Sequence, residues 1–529
     1  MLRDNKIWVA NNDAGEGIFL LPRMANRHGL IAGATGTGKT VTARVMAESF
    51  SEMGVPVFMA DVKGDLAGLM FPGQDNANMQ ERIARFGLAE HGFNYQGFPV
   101  ALWDIYGKMG MPLRTTVSEM GPLLMARILQ LNDLQSDILS IVYRIADDND
   151  LLLVDLKDLR AMLNHVQTHS KDFVDKYGRM SSASIGAIIR AIVALETDNG
   201  DMGGNMFFGE TALNIMDWMT VGEGGKGMIN ILDSESLINN GRLYATFLLW
   251  LLSELFEMMP EVGDLDKPKM VFFFDEAHLL FRDANKALLE KIEQVVKLIR
   301  SKGVGVYFCT QNPRDIPDGV LAQLGNRVQH ALRAYTPADQ KAVRAAAQSF
   351  RENPAFNTYE TLQALGTGEA LISFLGEDGI PAIVQKGYVL PPRSIMGAIT
   401  DSQRDQNIKG SVLYSKYANY HDPDSAYEFL ERLGLEEAAA AEKAKEDAAR
   451  AKEEEKARRE QEREAEREAK RAEDAKKRAA KSVGSSVAGT VGREAGKILG
   501  GNFGKFGKTI GGNLGASLGR GLIGTLFKN

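Results

Sequence analysis

Leu30-Ile31-Ala32-Gly33-Ala34-Thr35-Gly36-Thr37-Gly38-Lys39-Thr40-Val41-Thr42-Ala43-Arg44-Val45-Met46 is the stretch that decides the reading of this chain. Leu30–Ala32 is a short apolar run of strand type, and Val41–Met46 has helical patterning. Between them stands G-x-x-x-x-G-K-[ST], in the strand–loop–helix setting that this motif requires. The glycines let backbone N–H groups approach an anion with no Cβ in the way. The helix N-terminus adds its partial positive charge. Lys39 is placed to reach the β- and γ-phosphates of a nucleotide, and the Thr40 hydroxyl to ligate Mg²⁺. Gly33, Ala34, Thr35, Gly36, Thr37, Gly38, Lys39 and Thr40 together form the expected phosphate cradle.

A second motif lies far downstream. Met270-Val271-Phe272-Phe273-Phe274 reads as a buried strand and closes on Asp275-Glu276-Ala277-His278. Asp275 is the candidate for holding the Mg²⁺ shell. Glu276 is the candidate general base for an attacking water. The next strand-like run, Val304–Thr310, ends in Gln311, whose amide is suited to sensing a γ-phosphate or orienting that water. Further strand-like runs at Val55–Asp61 and Gly227–Asp233 alternate with helical segments. That alternation, with the phosphate loop, predicts an α/β fold of phosphate-loop NTPase type with a doubly wound, mostly parallel sheet and its site at the strand C-terminal ends.

The rest of the chain sets the frame. It has 529 residues, 44% of them hydrophobic and 25% charged, which is the balance of a globular protein with a sizeable core. The net charge of −7 excludes a generally basic nucleic-acid binder. Cys309 is the only cysteine, so no internal disulfide forms, and a reducing cytoplasm fits best. The first residues lack the apolar core of a secretory signal. The apolar run Leu243–Leu252 falls well short of the roughly 20 residues that a spanning helix needs. Cytoplasmic localisation is the expectation.

Composition divides the chain further. Residues 1–400 read as the nucleotide-binding domain, with a helical insertion at about 75–226 (Val117–Ile145, Leu156–His165 and Ala183–Leu195 in particular). Residues 401–435 read as a connecting helical segment. Residues 436–481 hold 15 acidic residues, 15 basic residues, 15 alanines and one glutamine. That composition is strongly helical, with opposite charges recurring at i, i+4, and it has no Leu, Ile or Val for a strong coiled-coil seam. A solvated helical arm or a weak Ala-faced helical pair both fit it. Residues 482–529 carry 14 glycines and a net charge of +5, which leaves −12 on the globular part. Gly492, Gly496, Gly500 and Gly504 are four apart, as are Gly507, Gly511, Gly515 and Gly519. Such a smooth face suits close packing, so a membrane-surface or self-association segment is one reading and a flexible tail the other.

Arg27–Thr40, Asp61-Val62-Lys63-Gly64-Asp65, Phe274–His278 and Arg300–Gly305 leading to Thr310-Gln311-Asn312-Pro313 together resemble the HerA/FtsK group of motor ATPases. More closely, the chain resembles bacterial YjgR-type proteins with a HerA-helicase-like C-terminal ATPase domain. The resemblance covers roughly residues 1–400. It implies an ASCE-type, RecA-like core, ATP and Mg²⁺ as ligands, hydrolysis of ATP, a homo-oligomer, often a hexameric ring, and action on DNA as a translocase or helicase-like protein. It also implies an arginine acting across the subunit boundary, a place that Arg300 occupies, with Arg27 as a second candidate. Asp61 and Asp65 become candidates for the Mg²⁺ or water shell, and Asp65 equally for a helix cap. HerA helicases carry an N-terminal barrel, for which the 27 or so residues before Leu30 are too few. The other-class reading is a nucleotide-switched scaffold whose arm and tail bind a protein or membrane partner. A GTPase is disfavoured, because no Asn-Lys-x-Asp guanine reader is present and the acidic strand ends Asp-Glu. A phosphate-loop kinase remains the other enzyme reading, although the carboxylate pair with Gln311 favours water as the acceptor.

Overall fold

Seven short runs, buried along most or all of their length, lie side by side in one sheet. In chain order they are β4 (Gly29–Ala32), β5 (Val57–Asp61), β6 (Val100–Asp104), β8 (Ile229–Asp233), β9 (Met270–Phe274), β10 (Val304–Thr310) and β11 (Asn326–His330). They pair parallel in the order β11-β4-β10-β9-β5-β8-β6, with β7 (Met111–Pro112) beyond β6. Strands buried on both faces need covering layers on both sides, and that is why their sequences are nearly continuous apolar runs. The computed structural model describes residues 1–197, 207–282, 284 and 286–480.

The sheet then changes direction. β12 (Glu369–Ser373) and β13 (Gln385–Val389) add antiparallel to β11, and β2 (Lys6–Asn12) adds antiparallel to β13. β1 (Leu2–Arg3) and β3 (Gly17–Leu20) both pair with β2. The segment ahead of Leu30 therefore contributes three strands to the main sheet. Ile7, Trp8, Val9 and Ala10 are its buried run, and their partner strand lies more than 370 residues away in sequence.

The segment read as a helical insertion is mixed. It supplies β6 and β7 as well as helices, since Val100–Trp103 is an apolar run short enough for a strand. The helical stretch expected at Val117–Ile145 is two helices, α2 (Val117–Ile128) and a second at Asp133–Asp148. Thr116 and Glu119 form a capping box at the start of α2. The apolar run Leu243–Leu252 lies inside α3 (Gly241–Met258), a buried core helix. Phe58 of β5 stacks on Trp218 at 5.0 Å, and Trp103 of β6 closes on Trp218 at 5.6 Å. Among the described residues no single helix is long and apolar enough to cross a membrane.

Residues 401–425 pack onto the β6–β7 end. Arg404, in the helix Asp401–Gly410, donates to the carbonyl of Met109 at 2.9 Å, and the buried ring of Tyr417 meets Trp103 at 5.3 Å. The long charged helix, α4, runs Ala426–Ala480, starting ten residues before the compositional boundary at 436. At 1.5 Å per residue its 55 residues extend about 80 Å. Arg450–Glu454, Glu455–Arg459 and Arg458–Glu462 pair along it at i, i+4. The glycine-patterned tail at 482–529 lies outside the described residues.

Helix α1 (Lys39–Glu52) departs from a simple apolar core helix. Its buried face carries Arg44 and Glu48, which are 2% and 1% exposed. Glu48 accepts hydrogen bonds from the backbone N–H groups of Arg393 (2.9 Å) and Ser394 (3.1 Å). Arg393 binds Glu52 at 2.7 Å, and Arg44 reaches Ser394 Oγ at 3.2 Å. This polar clasp ties the helix behind the phosphate loop to the segment after β13. Arg393→Met removes the guanidinium from the half-buried Glu52 carboxylate and from Asn94 O, so we expect a loss of about 1–3 kcal/mol, read as a lowered midpoint in urea unfolding.

Candidate functional site

The register of three strands brings the motifs together. Thr310 of β10 pairs with Ala32 of β4, and Phe308 pairs with Phe274 of β9. The loop after Ala32, the carboxylates after Phe274 and Gln311 after Thr310 therefore leave the sheet at one edge, as neighbours. This is the C-terminal edge of the parallel strands, where open α/β sheets place their ligands.

The loop Gly33–Gly38 has the conformation its glycines allow. Gly33 and Gly38 take φ of 151° and 116°. A Cβ on Gly33 would lie 2.5 Å from His330 Cβ, so no other residue fits there. Gly38 is the N-cap of α1 and brings no side-chain cap, so the first-turn N–H groups remain available to an anion. Thr35 and Gly36 are exposed at the tip. Lys39 Nζ donates to the carbonyls of Gly33 (2.7 Å) and Ala34 (3.2 Å), so the ammonium is held within its own loop. Burial pulls its pKa below the usual lysine value, and the nearby Asp275 acts in the opposite direction.

The far side of the loop rests on β11 and β12. Ala34 N–H donates to Ala331 O at 2.9 Å, and Gly368 N–H donates to Thr37 O at 3.0 Å. His330 is fully buried beneath the loop. Its Nδ1–H donates to Glu369 O (2.9 Å), so Nε2 accepts from the Thr42 hydroxyl (2.8 Å). Burial pushes this imidazole down to about 4, which keeps it neutral. The sequence reading missed His330 and Gly368, and neither lies in a recognisable motif.

Asp275 follows β9 and is half-buried. Burial and the neighbouring Glu276 push its carboxyl up to about 6. Its Oδ1 accepts from Glu276 N–H at 2.9 Å. Glu276 has φ of 48°, a left-handed conformation that costs a non-glycine residue about 1–3 kcal/mol. Its Oε2 is buried, lies 3.3 Å from His278 Nδ1, and has no hydrogen-bond partner among the described residues. An orphaned, buried carboxylate oxygen beside a phosphate cradle is free to accept a proton from water. Tyr244, buried on α3, donates its hydroxyl to the Asp275 carbonyl at 2.6 Å.

The other sequence candidates fall in different places. Gln311 is exposed at the end of β10, on the same sheet edge as the loop. Arg300 is exposed in the turn Ile299–Lys302, at the opposite end of β10, about 20 Å along the strand. It does not approach the phosphate loop of its own chain. Arg27 lies 3.7 Å from Asp264. Asp61 spends its carboxylate on the turn after β5, accepting from the N–H groups of Lys63 (3.2 Å), Gly64 (2.8 Å), Asp65 (3.3 Å) and Leu66 (2.8 Å). Asp65 stands at the N-cap of the next short turn but makes no side-chain cap bond there.

Comparison with known proteins adds a family to this geometry. The family model described as "Helicase HerA-like C-terminal" matches residues 6–509. The DNA double-strand break repair helicase HerA of Sulfurisphaera tokodaii is 22% identical over 360 residues, which cover 65% of this chain and 62% of that protein. The protein of the same name in Sulfolobus acidocaldarius is 27% identical over 149 residues, 28% of this chain and 29% of that one. The chain thus spans less than two thirds of the length of these curated relatives. Among solved structures, the bacterial conjugative coupling protein TrwB superposes with a TM-score of 0.49 at 15% identity, covering 75% of this chain and 91% of that one. VirB4 of Thermoanaerobacter pseudethanolicus gives 0.46 at 14% identity, covering 77% and 100%.

The raised pKa of Asp275 has a stability consequence. An acid whose folded pKa lies near 6 instead of the usual 3.8 costs stability progressively as pH rises from about 4 to 6, and the cost persists above that. Asp275→Asn is expected to stabilise the ligand-free protein by about 2–3 kcal/mol at pH 8 and by far less at pH 4, as read by thermal melts.

Proposed function

We propose, on the premise that the chain belongs to the helicase HerA-like C-terminal family, that it is an ATP-hydrolysing motor that acts on DNA. The observation that supports the hydrolytic part is the phosphate cradle beside the Asp275–Glu276 pair, in which Glu276 Oε2 is buried without a hydrogen-bond partner and lies 3.3 Å from His278 Nδ1. The DNA part rests on the family and on the printed names of the relatives. Family membership favours a motor over a nucleotide-switched scaffold.

The roles follow from the chemistry of each group. Backbone N–H groups of Gly33, Ala34, Thr35, Gly36, Thr37 and Gly38, with the start of α1, bind the phosphates. Lys39 exchanges its two loop carbonyls for phosphate oxygens. The Thr40 hydroxyl and the Asp275 carboxylate would hold Mg²⁺, which neutralises phosphate charge when bound. The donor set fits such an ion, since the Asp275 carboxyl is costly to ionise by burial and by the neighbouring Glu276, a cost that a bound cation would offset. Glu276 takes a proton from the attacking water, and Gln311 orients that water or reads the γ-phosphate. Arg300, too far from its own loop, serves the site of a neighbouring copy, so the working form is a homo-oligomer, with a six-membered ring as the family-based expectation. The tail at 482–529 is the element proposed to meet a membrane surface or a protein partner, and the cell compartment proposed is the cytoplasm.

Steady-state ATP hydrolysis, measured across protein concentrations with and without duplex DNA, tests this directly. Specific activity that rises with both supports a DNA motor with shared sites. Activity that is flat and indifferent to DNA removes the motor reading. Lys39→Ala is expected to abolish turnover, and Glu276→Gln to retain ATP binding while turnover falls at least about a hundredfold. Full activity in either variant would remove the assigned role. For Arg300, mixing is the informative experiment. An inactive Arg300→Ala protein should regain turnover when combined with inactive Glu276→Gln protein, because some interfaces then hold both intact groups. Absence of recovery at every ratio would place the arginine outside the shared site.

A further inference from the structure

We propose that Tyr244 is a positioning residue for the Glu276 carboxylate, and that Arg127 braces the same turn, so that the helices α2 and α3 set the aim of the water-activating group. This rests on the assignment of Glu276 given above, but it concerns residues that no motif contains.

The peptide bond between Asp275 and Glu276 leads directly into the proposed base. Both polar atoms of this peptide are held. Its carbonyl oxygen accepts from Tyr244 Oη at 2.6 Å, and its N–H donates to Asp275 Oδ1 at 2.9 Å. The next peptide plane is held too, by Ala277 N–H on Cys309 O and by Glu276 O accepting from Leu279 N–H, and the two held planes together set the rotation at Glu276, with φ of 48°. A glutamate does not stay in the left-handed region unless its surroundings over-determine it. A change of that angle to the ordinary right-handed region would swing the side chain to another direction, with no change in the fold of the sheet.

The downstream side of the turn is held as well. Ala277 N–H donates to Cys309 O on β10 at 2.9 Å, and Leu279 N–H donates to Glu276 O at 3.0 Å. Arg127, near the end of α2, donates through Nη2 to the carbonyls of Leu280 (3.1 Å) and Arg282 (3.1 Å), with Leu279 O at 3.4 Å. These are the unsatisfied carbonyls at the end of the short helix His278–Phe281. The acidic motif is thus gripped from α3 at its first peptide, and the short helix that follows it is gripped from α2 at its end. Tyr244 is fully buried, packed in a helix whose neighbours are apolar, so its hydroxyl has no route to solvent as an alternative partner.

Tyr244→Phe removes only the hydroxyl. A suitable control is Tyr143→Phe, because Tyr143 is also buried and its hydroxyl also donates to a backbone carbonyl, that of Val117 at 3.0 Å, away from the acidic motif. Both variants are expected to lose similar thermal stability. Only Tyr244→Phe should lower kcat, by about tenfold or more, with KM for ATP within about twofold of the parent. Arg127→Gln should act in the same direction. Equal kcat in the two tyrosine variants would overturn the proposal, since loss of a buried hydroxyl would then be purely structural. Hydrogen exchange over residues 275–281, read on the same proteins, reports the turn independently of turnover. Faster exchange in Tyr244→Phe than in Tyr143→Phe is expected, and equal exchange also overturns the proposal. Absence of hydrolysis in the parent protein, with this exchange difference intact, would instead locate the failure in the ATPase reading.

Discussion

The parallel pairing of β10 with β4 on one side and β9 on the other is the contact on which the rest of the molecule depends. Its register puts Ala32, Thr310 and Phe274 near one level, so that the phosphate loop, Gln311 and the Asp275–Glu276 pair emerge together. A slip of one residue would turn every side chain of a strand to the other face. The strands are buried on both sides and closely packed with aromatics, such as Phe273 against Tyr307 at 5.2 Å, so such a slip has nowhere to place its volume.

Around that register the interior is more polar than the apolar strands suggest. His28, fully buried, accepts at Nδ1 from Val306 N–H (3.1 Å) and donates from Nε2 to Val296 O (2.8 Å), and burial pushes it down to about 4. His330 does the equivalent beneath the phosphate loop, and Glu48 does so behind α1. Each is a polar group held by backbone atoms, with a side-chain hydroxyl as a further partner for His330 (Thr42) and Glu48 (Ser394), and this gives directional constraint that apolar packing lacks. The phosphate loop is therefore supported from below by hydrogen bonds, while its upper surface faces outward.

Much of this was legible in the sequence, for identifiable reasons. The runs at Leu30–Ala32, Val55–Asp61, Gly227–Asp233, Met270–Phe274 and Val304–Thr310 are short, apolar and bounded, and they form β4, β5, β8, β9 and β10 with shifts of two residues at most. Local pattern failed where the partner was remote. β2 was hidden because Ile7–Ala10 acquires its meaning from β13, and β6 because Val100–Trp103 lies inside a long helix-rich stretch. At the site, the motif residues were readable because their chemistry fixes their spacing. His330 and Tyr244 were not, because each acts through a single hydrogen-bonded atom brought in by tertiary packing. Asp61 is the converse case. A carboxylate at a strand end invites a metal role, yet here four backbone N–H groups occupy it.

The charge balance of the site bears on what can enter it. In the ligand-free protein the ammonium of Lys39 is satisfied by its own loop carbonyls, and Asp275 is costly to ionise because of burial and the neighbouring Glu276. Bringing in the several negative charges of a triphosphate alone would set them against these carboxyls in a poorly solvated cleft. The loop N–H groups, the α1 terminus and Lys39 offset part of that charge. The remainder is offset when the nucleotide arrives together with a divalent cation, which also lowers the cost of keeping Asp275 ionised. Glu276, in the proposed role of base, gains nothing from direct contact with the cation, since that role requires an oxygen left free. On this proposal the left-handed turn divides two adjacent carboxylates between two tasks. Asp275 continues the direction of the strand and receives its own chain's N–H, while Glu276 is rotated away with its outer oxygen unbonded. The strain at Glu276 is thus the geometric cost of giving neighbouring residues of the same chemistry different work.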